Sequence, residues 1–137
     1  HGYAKNLQPK NGFGFIIACL NGGFKMEDCL FCKIIAGEIP SKKVYEDDLC
    51  YAFYDINPQS DTHFLVVPKQ HISGADKITG ENSAVVAHIF EVISSLTKQL
   101  GLSSYRIINN CGEGAGQTVM HLHFHVLSGG NLGERLV

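Results

Sequence analysis

The sequence lacks the features of two large classes of binding protein. It has no long run of lysine or arginine, and its 11 basic and 13 acidic residues give a net charge of −2, so we expect no polymeric nucleic acid as partner. Its longest strongly apolar run, residues 13–20, is too short for the roughly 20 residues of a membrane-spanning helix. No small-x-small cleavage site follows that run, as it would in a signal peptide. We therefore expect no membrane association.

Two nucleotide-binding fingerprints and a disulfide framework are also missing. Neither G-x-G-x-x-G nor the Walker sequence occurs, which excludes the usual dinucleotide and triphosphate sites. Tryptophan is absent, and the five cysteines are an odd number, unlike the paired cysteines of small secreted domains. This usage favours a reducing cytoplasm, and Cys50, inside an alternating apolar run, is expected to be an ordinary buried thiol.

A chain of 137 residues suits one domain. Residues 1–25 are rich in glycine and asparagine and have no clean periodicity, whereas a densely patterned sequence begins at Met26. We interpret Met26 as the natural start, residues 1–25 as an appended or disordered extension, and residues 26–137 as the domain. A native extension of unknown role is the alternative.

The patterned part predicts an α+β domain, because strands in antiparallel order accompany a single long helix. That helix is predicted over residues 81–100 from apolar residues at i, i+3 and i+4, with Gly101 at its end and His88 as a packing residue at the edge of its apolar stripe. A short helix is predicted over 31–36. The predicted strands are 43–46, 49–54, 63–67, 104–110 and 121–127.

The last of these strands carries the strongest functional signal. Alternation along a strand places His121, His123 and His125 on one face and the intervening Leu122 and Phe124 on the other. A purification tag does not alternate with apolar residues. Three imidazoles on a rigid support can bind a metal, attack a phosphorus atom or surround a phosphate with donors. A glycine-rich loop, 111–118, leads directly into this strand.

Two other signals are weaker when taken alone. Cys29 and Cys32 form a C-x-x-C pair, which occurs in redox sites, in zinc sites and as two buried thiols. His63, at the start of a predicted strand, shares a face with Leu65 and Val67. A histidine in that position is more often structural than catalytic.

The run 121–127 resembles the signature of the histidine triad (HIT) family, His-x-His-x-His with apolar residues between. Residues 27–129 are similar to the branch called histidine triad nucleotide-binding proteins. The matching positions include 29–35, 38–40, 52–53, 55–56, 58, 62–66, 68–69, 71–73, 110 and 116–119. The third triad position is His125, where the nucleotidyltransferase branch carries glutamine, and this difference favours hydrolysis over transfer.

The resemblance implies a HIT-like antiparallel sheet of about five strands with one long and one short N-terminal helix, and a homodimer in which two sheets join. It implies binding of purine nucleoside monophosphates and hydrolysis of purine nucleoside 5′-phosphoramidates. His123 would be the nucleophile that becomes a nucleotidyl-histidine, flanked by His125 and His63 as phosphate donors. Thr118, where many relatives have serine, would keep the catalytic hydroxyl.

By the same resemblance, the nucleotide contacts would come from six further residues. Asp55 would accept from the ribose hydroxyls, and Asn110 would support the phosphate or ribose. Gln117, with loop amides, would hold the phosphate oxygens and the leaving group. The apolar slot for the base would be formed by Leu30, Phe31 and Ile56.

The resemblance also implies a structural zinc ion, held by Cys29, Cys32, His71 and His121. Two thiolates and two imidazoles suit closed tetrahedral zinc, and the alternative is a metal-free site with buried thiols. Three other functions stay open: a dinucleoside polyphosphate hydrolase, a non-catalytic nucleotide-binding or interaction module, and a zinc-dependent regulator. The C-terminal tail lacks the tryptophan of animal relatives, which leaves the leaving-group preference open.

Overall fold

A computed structural model describes residues 28–136; the predictions made for residues 1–25 and for Met26 lie outside the described residues. Helix α1 spans Leu30–Ile35 and helix α2 spans Ser83–Gln99, with 3₁₀ turns at Ala75–Lys77 and Glu113–Ala115. The strands are β1 Lys43–Glu46, β2 Cys50–Tyr54, β3 Thr62–Pro68, β4 Arg106–Ile108 and β5 Phe124–Ser128. Within the described range, no helix combines the length and the hydropathy needed to cross a bilayer.

The five strands form one antiparallel sheet in the order β1-β2-β3-β5-β4. The predicted α+β class, with five strands, one long helix and one short N-terminal helix, is confirmed. β3 and β5 are the central neighbours, and their register pairs Leu65 with His125 and His63 with Leu127. Because side chains alternate along a strand, His63 and His125 point to the same side of the sheet from two adjacent strands.

The long helix α2 covers the other side of the sheet. Its apolar stripe, Val85, Ile89, Val92, Ile93 and Leu96, packs on alternate strand residues into the larger apolar cluster. The helix ends where Gly101 adopts a φ of +74°, a conformation that is accessible to glycine at little cost. This layer holds the sheet rigid beneath the histidines.

Helix α1 covers the histidine side of the sheet. Phe31, Cys32 and Ile34 pack against Phe53 and Leu65 in a second apolar cluster. The Phe31 ring contacts the Phe53 ring edge-on, with centroids 5.5 Å apart. The first turn of α1 therefore lies directly beside the histidine-rich segment.

The histidine segment differs from its prediction in one respect. Strand β5 begins at Phe124, so His121 and His123 precede the ladder rather than belong to it. The Leu122 amide donates instead to the Ile72 carbonyl, outside the sheet. The predicted alternation of faces nevertheless holds, because Leu122 lies in the α2-side core while His121 and His123 face the Phe31 ring.

His88 also differs from its prediction as a packing residue. Its Nε2 lies 2.6 Å from Oδ2 of Asp47, in the turn between β1 and β2. Asp47 Oδ1 accepts from the amides of Leu49 and Cys50, and Oδ2 accepts from the Tyr45 hydroxyl. Asp47 therefore closes the β1–β2 turn and ties it to α2. Cys50, fully buried, is the ordinary thiol that was predicted.

Replacing Asp47 is expected to destabilise the fold. Burial raises the pKa of Asp47, but the bond with His88 and the bonds from Leu49, Tyr45 and Cys50 outweigh burial and lower it. We expect Asp47→Ala to cost about 2 kcal/mol of unfolding free energy at pH 7, measured by urea denaturation. Since the folded-state pKa is lowered, this difference is present above about pH 4 and shrinks as the pH falls through the folded-state value.

The neighbouring Asp48→Ala is the matched control, because Asp48 lies on the surface. Equal losses in the two variants, or a loss that grows with acid, would contradict the assignment.

Candidate active site

A cavity of about 520 Å³ opens on the histidine side of the sheet, between α1, the ends of β2 and β5, and the glycine-rich loop. Most of its wall is apolar. The polar lining consists of Ser41, Tyr54, Asp55, Asn110, Thr118, His123 and His125, of which the His123 and His125 rings have centroids 5.1 Å apart. An apolar slot with a few clustered polar groups is the usual form of a small-molecule site.

His123 is held in one tautomer by the backbone. Its Nδ1 lies 2.7 Å from the His121 carbonyl oxygen, and because a carbonyl only accepts, Nδ1 carries the proton. The Nε2 lone pair of the neutral ring is then left for the cavity, which His123 lines. The Phe31 ring contacts the imidazole edge-on at 5.0 Å, and the Asn109 side-chain amide donates to the His123 carbonyl. Ring and backbone are thus both fixed.

His63 and His125 are joined by a hydrogen bond between their rings. The Gln59 amide donates to His63 Nδ1 at 3.0 Å, which places the neutral ring's proton on Nε2. That Nε2 lies 2.9 Å from His125 Nδ1 and 3.4 Å from Asp55 Oδ2. When His125 Nδ1 accepts a hydrogen bond from this N–H, the proton of the neutral His125 ring is on its Nε2. His125 is then a hydrogen-bond donor to the cavity.

All three imidazoles are neutral at pH 7. Burial lowers the pKa of His123, although the bond to the His121 carbonyl opposes it, and burial lowers the pKa of His63 against the opposing charge of Asp55. For His125, burial together with the neighbouring His123 and His63 lowers the pKa to about 4. A neutral imidazole is a nucleophile, whereas an imidazolium is not.

The structure brings most of the predicted site residues to this cavity. Its lining includes eight of them: Leu30, Phe31, Asp55, Ile56, Asn110, Thr118, His123 and His125. His63 stands behind His125, 4% exposed.

Gln117 has a different place from the one expected. Its side chain is buried, with Nε2 donating to the carbonyls of Ser73 and Val119 and Oε1 accepting from the Gly112 amide. Two of these bonds lie within the loop region, and the third joins it to Ser73. Gln117 therefore holds the glycine-rich loop, and Gly116, Thr118 and Val119 are the loop residues that reach the cavity wall.

Sequence reasoning missed the apolar residues that complete the slot, which are Ile34, Ile39, Pro40, Phe53, Leu65 and Val119. One of them had an ambiguous signal, since strand alternation already placed Leu65 on the same face as His63. The amide of Gln59 was not detectable in the same way, because any non-proline residue supplies one.

A second group of side chains lies on the far side of His123 from His125. Cys29, Cys32, His71 and His121 are all buried, and one ligand atom from each lies within 4.8 Å of every other. His121 Nδ1 is 3.3 Å from Cys29 Sγ, 3.7 Å from Cys32 Sγ and 3.1 Å from His71 Nδ1, and Cys32 Sγ is 3.4 Å from His71 Nδ1. Tetrahedral zinc, with bonds of about 2.0–2.3 Å, places its ligand atoms about 3.3–3.8 Å apart.

The protonation of this cluster also suits a metal. His121 Nε2 lies 2.8 Å from the Pro68 carbonyl, so it carries the proton and leaves Nδ1 as a lone-pair donor towards the cysteines, the usual outer-shell arrangement of a metal-binding histidine. The Cys29 pKa is well below its ordinary value, chiefly because the Cys32 side chain hydrogen-bonds to it, an effect that burial opposes. A thiolate is the form that binds metal. The residues therefore fit the structural zinc that the family resemblance implies.

Residues 36–132 of this chain match the HIT domain family. An uncharacterized HIT-like protein of Synechococcus elongatus is 47% identical over 107 residues, covering 77% of this chain and 94% of the relative.

Two solved structures are also similar. A HIT family hydrolase from Clostridium thermocellum has a TM-score of 0.79 and 42% identity over 81% of this chain and 98% of that one. A histidine triad nucleotide-binding protein from Candida albicans has a TM-score of 0.67 and 35% identity over 80% of this chain and 84% of that one. The chain belongs to the HIT domain family.

Proposed function

We propose that the protein hydrolyses purine nucleoside 5′-phosphoramidates through a covalent nucleotidyl-histidine on His123. The observation that carries this proposal is the bond from His123 Nδ1 to the His121 carbonyl, which leaves Nε2 as a neutral nucleophile at the polar end of an apolar slot. The name of one similar structure, a HIT family hydrolase, supports the reaction type. The name of another, a nucleotide-binding protein, supports the substrate class.

In the first step, His123 Nε2 attacks the phosphorus atom and the P–N bond to the leaving group breaks. The leaving nitrogen keeps the bonding electron pair, accepts a proton from solvent water and departs as an amine. In the second step, water attacks the phosphorus, the bond to Nε2 breaks, and the nucleoside monophosphate is released with the water proton returned to solvent. His125 Nε2–H donates to a phosphate oxygen in both steps, and the Thr118 hydroxyl lies on the loop side for the leaving group.

The residues that line the slot would contact the purine and the ribose of the substrate. Leu30, Phe31 and Ile56 would sandwich the purine, Asp55 would accept from the ribose hydroxyls, and Asn110 would support the phosphate or ribose. All five line the cavity. No lysine or arginine lines the cavity in the part of the chain that the structure describes. A dinucleoside polyphosphate, with several more negative charges, would need such groups, so a single-phosphate substrate is favoured.

The test is turnover of adenosine 5′-phosphoramidate by the wild type and by His123→Ala. Losing the nucleophile is expected to reduce kcat/KM by at least about 10³-fold, with ammonia release as the measurement. Wild-type protein quenched during turnover should carry one nucleotidyl group by intact mass spectrometry, and His123→Ala should carry none.

His88→Ala is the matched control, because His88 lies on the α2 side of the sheet, where it bonds with Asp47. A wild type without activity would point instead to a non-catalytic nucleotide-binding module. Activity that survives in His123→Ala would refute the nucleophile.

We also propose that Cys29, Cys32, His71 and His121 hold a structural zinc ion. The distances among their ligand atoms and the Pro68 bond of His121 support this proposal. When bound, zinc would contribute cross-linking and folding free energy, with all four positions taken by protein.

Cys29, Cys32, Cys50 and Cys111 are thiols rather than disulfides, which supports a reducing, cytoplasmic setting.

Metal analysis tests the zinc proposal directly. We expect about one zinc per chain in the purified protein, a stoichiometry near zero in Cys32→Ala, and a lower melting temperature after removal by a chelator. Cys111→Ala is the matched control, because its exposed thiol lies outside the cluster, and it should retain the metal. Wild-type protein that is fully folded and metal-free would overturn the proposal.

We further propose that two copies associate through the β4 edge of the sheet. β4 pairs with β5 on one side only and is the last strand of the order. An open strand edge is a ready template for pairing. Beside it Tyr105 is 39% exposed, and Phe90, which contacts Phe124 of β5, is 44% exposed. A second copy would cover these rings and extend the sheet.

Sedimentation equilibrium tests this association. The wild type should sediment as a dimer, and Phe90→Glu should shift it towards monomer because a carboxylate would be buried in the interface. Leu49→Glu is the matched control, since Leu49 is equally exposed, at 47%, but lies in the β1–β2 turn. A monomeric wild type, or equal effects of the two variants, would contradict the proposed edge.

A further inference from the structure

A single proton on His63 faces two acceptors beside the cavity. The Gln59 amide occupies Nδ1, so the proton of the neutral ring is on Nε2. That nitrogen lies 2.9 Å from His125 Nδ1 and 3.4 Å from Asp55 Oδ2. Because one N–H makes only one well-directed hydrogen bond, Asp55 and His125 compete for it.

The competing oxygen of Asp55 is also open to a ligand. Oδ1 accepts from the Asn57 amide at 2.8 Å, and Oδ2 is the oxygen that faces His63. The Asp55 side chain is 20% exposed and lines the cavity next to Ile56. A hydroxyl group that donates to Oδ2 therefore shares the oxygen that competes for the His63 hydrogen bond.

The outcome of this competition decides what His125 presents to a phosphate. When His63 donates to His125 Nδ1, the proton of His125 is on Nε2 and can be donated to a phosphate oxygen. When His63 Nε2–H donates to Asp55 instead, the proton of the neutral His125 ring can be on Nδ1. The lone pair of His125 Nε2 then faces the phosphate. The first tautomer binds the phosphate and the second repels it.

Resting on the proposed function, we propose that Asp55 is a positioning residue that couples recognition of the ribose hydroxyls to the tautomer of His125. A hydroxyl that donates to Asp55 Oδ2 makes that oxygen a weaker acceptor for His63, so that His63 Nε2–H donates to His125 Nδ1 instead. The ribose then contributes to the rate of P–N cleavage as well as to binding. A substrate without these hydroxyls leaves Asp55 in competition with His125.

The kinetic test compares adenosine 5′-phosphoramidate with its 2′,3′-dideoxy analogue, using single-turnover rates at saturating enzyme. The wild type should cleave the dideoxy substrate about five-fold more slowly, roughly the effect of one hydrogen bond. Asp55→Ala removes the competing acceptor, so it should cleave the dideoxy substrate faster than the wild type does. Asp48→Ala, a surface carboxylate of the same charge, should leave both rates unchanged.

If the Asp55 carboxylate only binds ribose, Asp55→Ala should not cleave the dideoxy substrate faster than the wild type does. If it acts only by its charge, Asp55→Ala should change the cleavage rates of both substrates by the same factor. Either result would overturn the coupling.

Nitrogen-15 NMR of the histidine rings provides a readout that needs no turnover. Adenosine 5′-monophosphate should place the His125 proton on Nε2, and 2′,3′-dideoxyadenosine 5′-monophosphate should leave a mixture of tautomers. The same tautomer with both nucleotides would overturn the coupling even if hydrolysis is found. The expected difference in a protein that cleaves neither phosphoramidate would keep the coupling and reject the hydrolase. Failure of both nucleotides to bind would overturn both proposals.

Discussion

The carbonyl of His121 is the group on which the candidate site depends. It accepts from His123 Nδ1 at 2.7 Å, and this one bond selects which nitrogen of the central histidine faces the cavity. The side chain of the same residue points into the cysteine–histidine cluster, with Nε2 bound to the Pro68 carbonyl. One residue thus fixes the His123 ring through its backbone and joins α1 to β3 through its side chain. Displacing it would disturb both at once.

The sheet could be predicted from the sequence because its residues alternate. Leu122 and Phe124 enter the core beneath α2, and His123 and His125 face the cavity, as a period of two requires. The cluster of Cys29, Cys32, His71 and His121 came from the family resemblance. Spacing alone left the C-x-x-C pair open among redox, metal and buried-thiol roles, and the closure of the four side chains on one another is a property of the folded chain.

Features that depend on single hydrogen bonds could not be predicted. The family resemblance implied that Gln117 holds the phosphate oxygens. Its side-chain amide instead makes hydrogen bonds with Ser73, Val119 and Gly112. His88 sits at the edge of an apolar stripe in sequence, and only the fold brings Asp47 within 2.6 Å of it. The backbone amide of Gln59 carries no sequence signal at all. The Asp47 partner of His88 and the Ser73 partner of Gln117 come from distant chain segments, whereas the Gln59 amide and the Gly112 and Val119 partners of Gln117 depend on the conformation of a single loop.

The apolar slot has a thermodynamic consequence that follows from Ile56. This side chain is 98% exposed and stands at the rim next to Asp55, so within one chain nothing shields it from water. A flat aromatic base between Ile56 and the α1 side would remove water from both walls at once. Burial of apolar surface lowers the heat capacity of the complex relative to its parts. The enthalpy of binding the proposed nucleotide therefore becomes more favourable on warming, while the affinity changes little because entropy compensates.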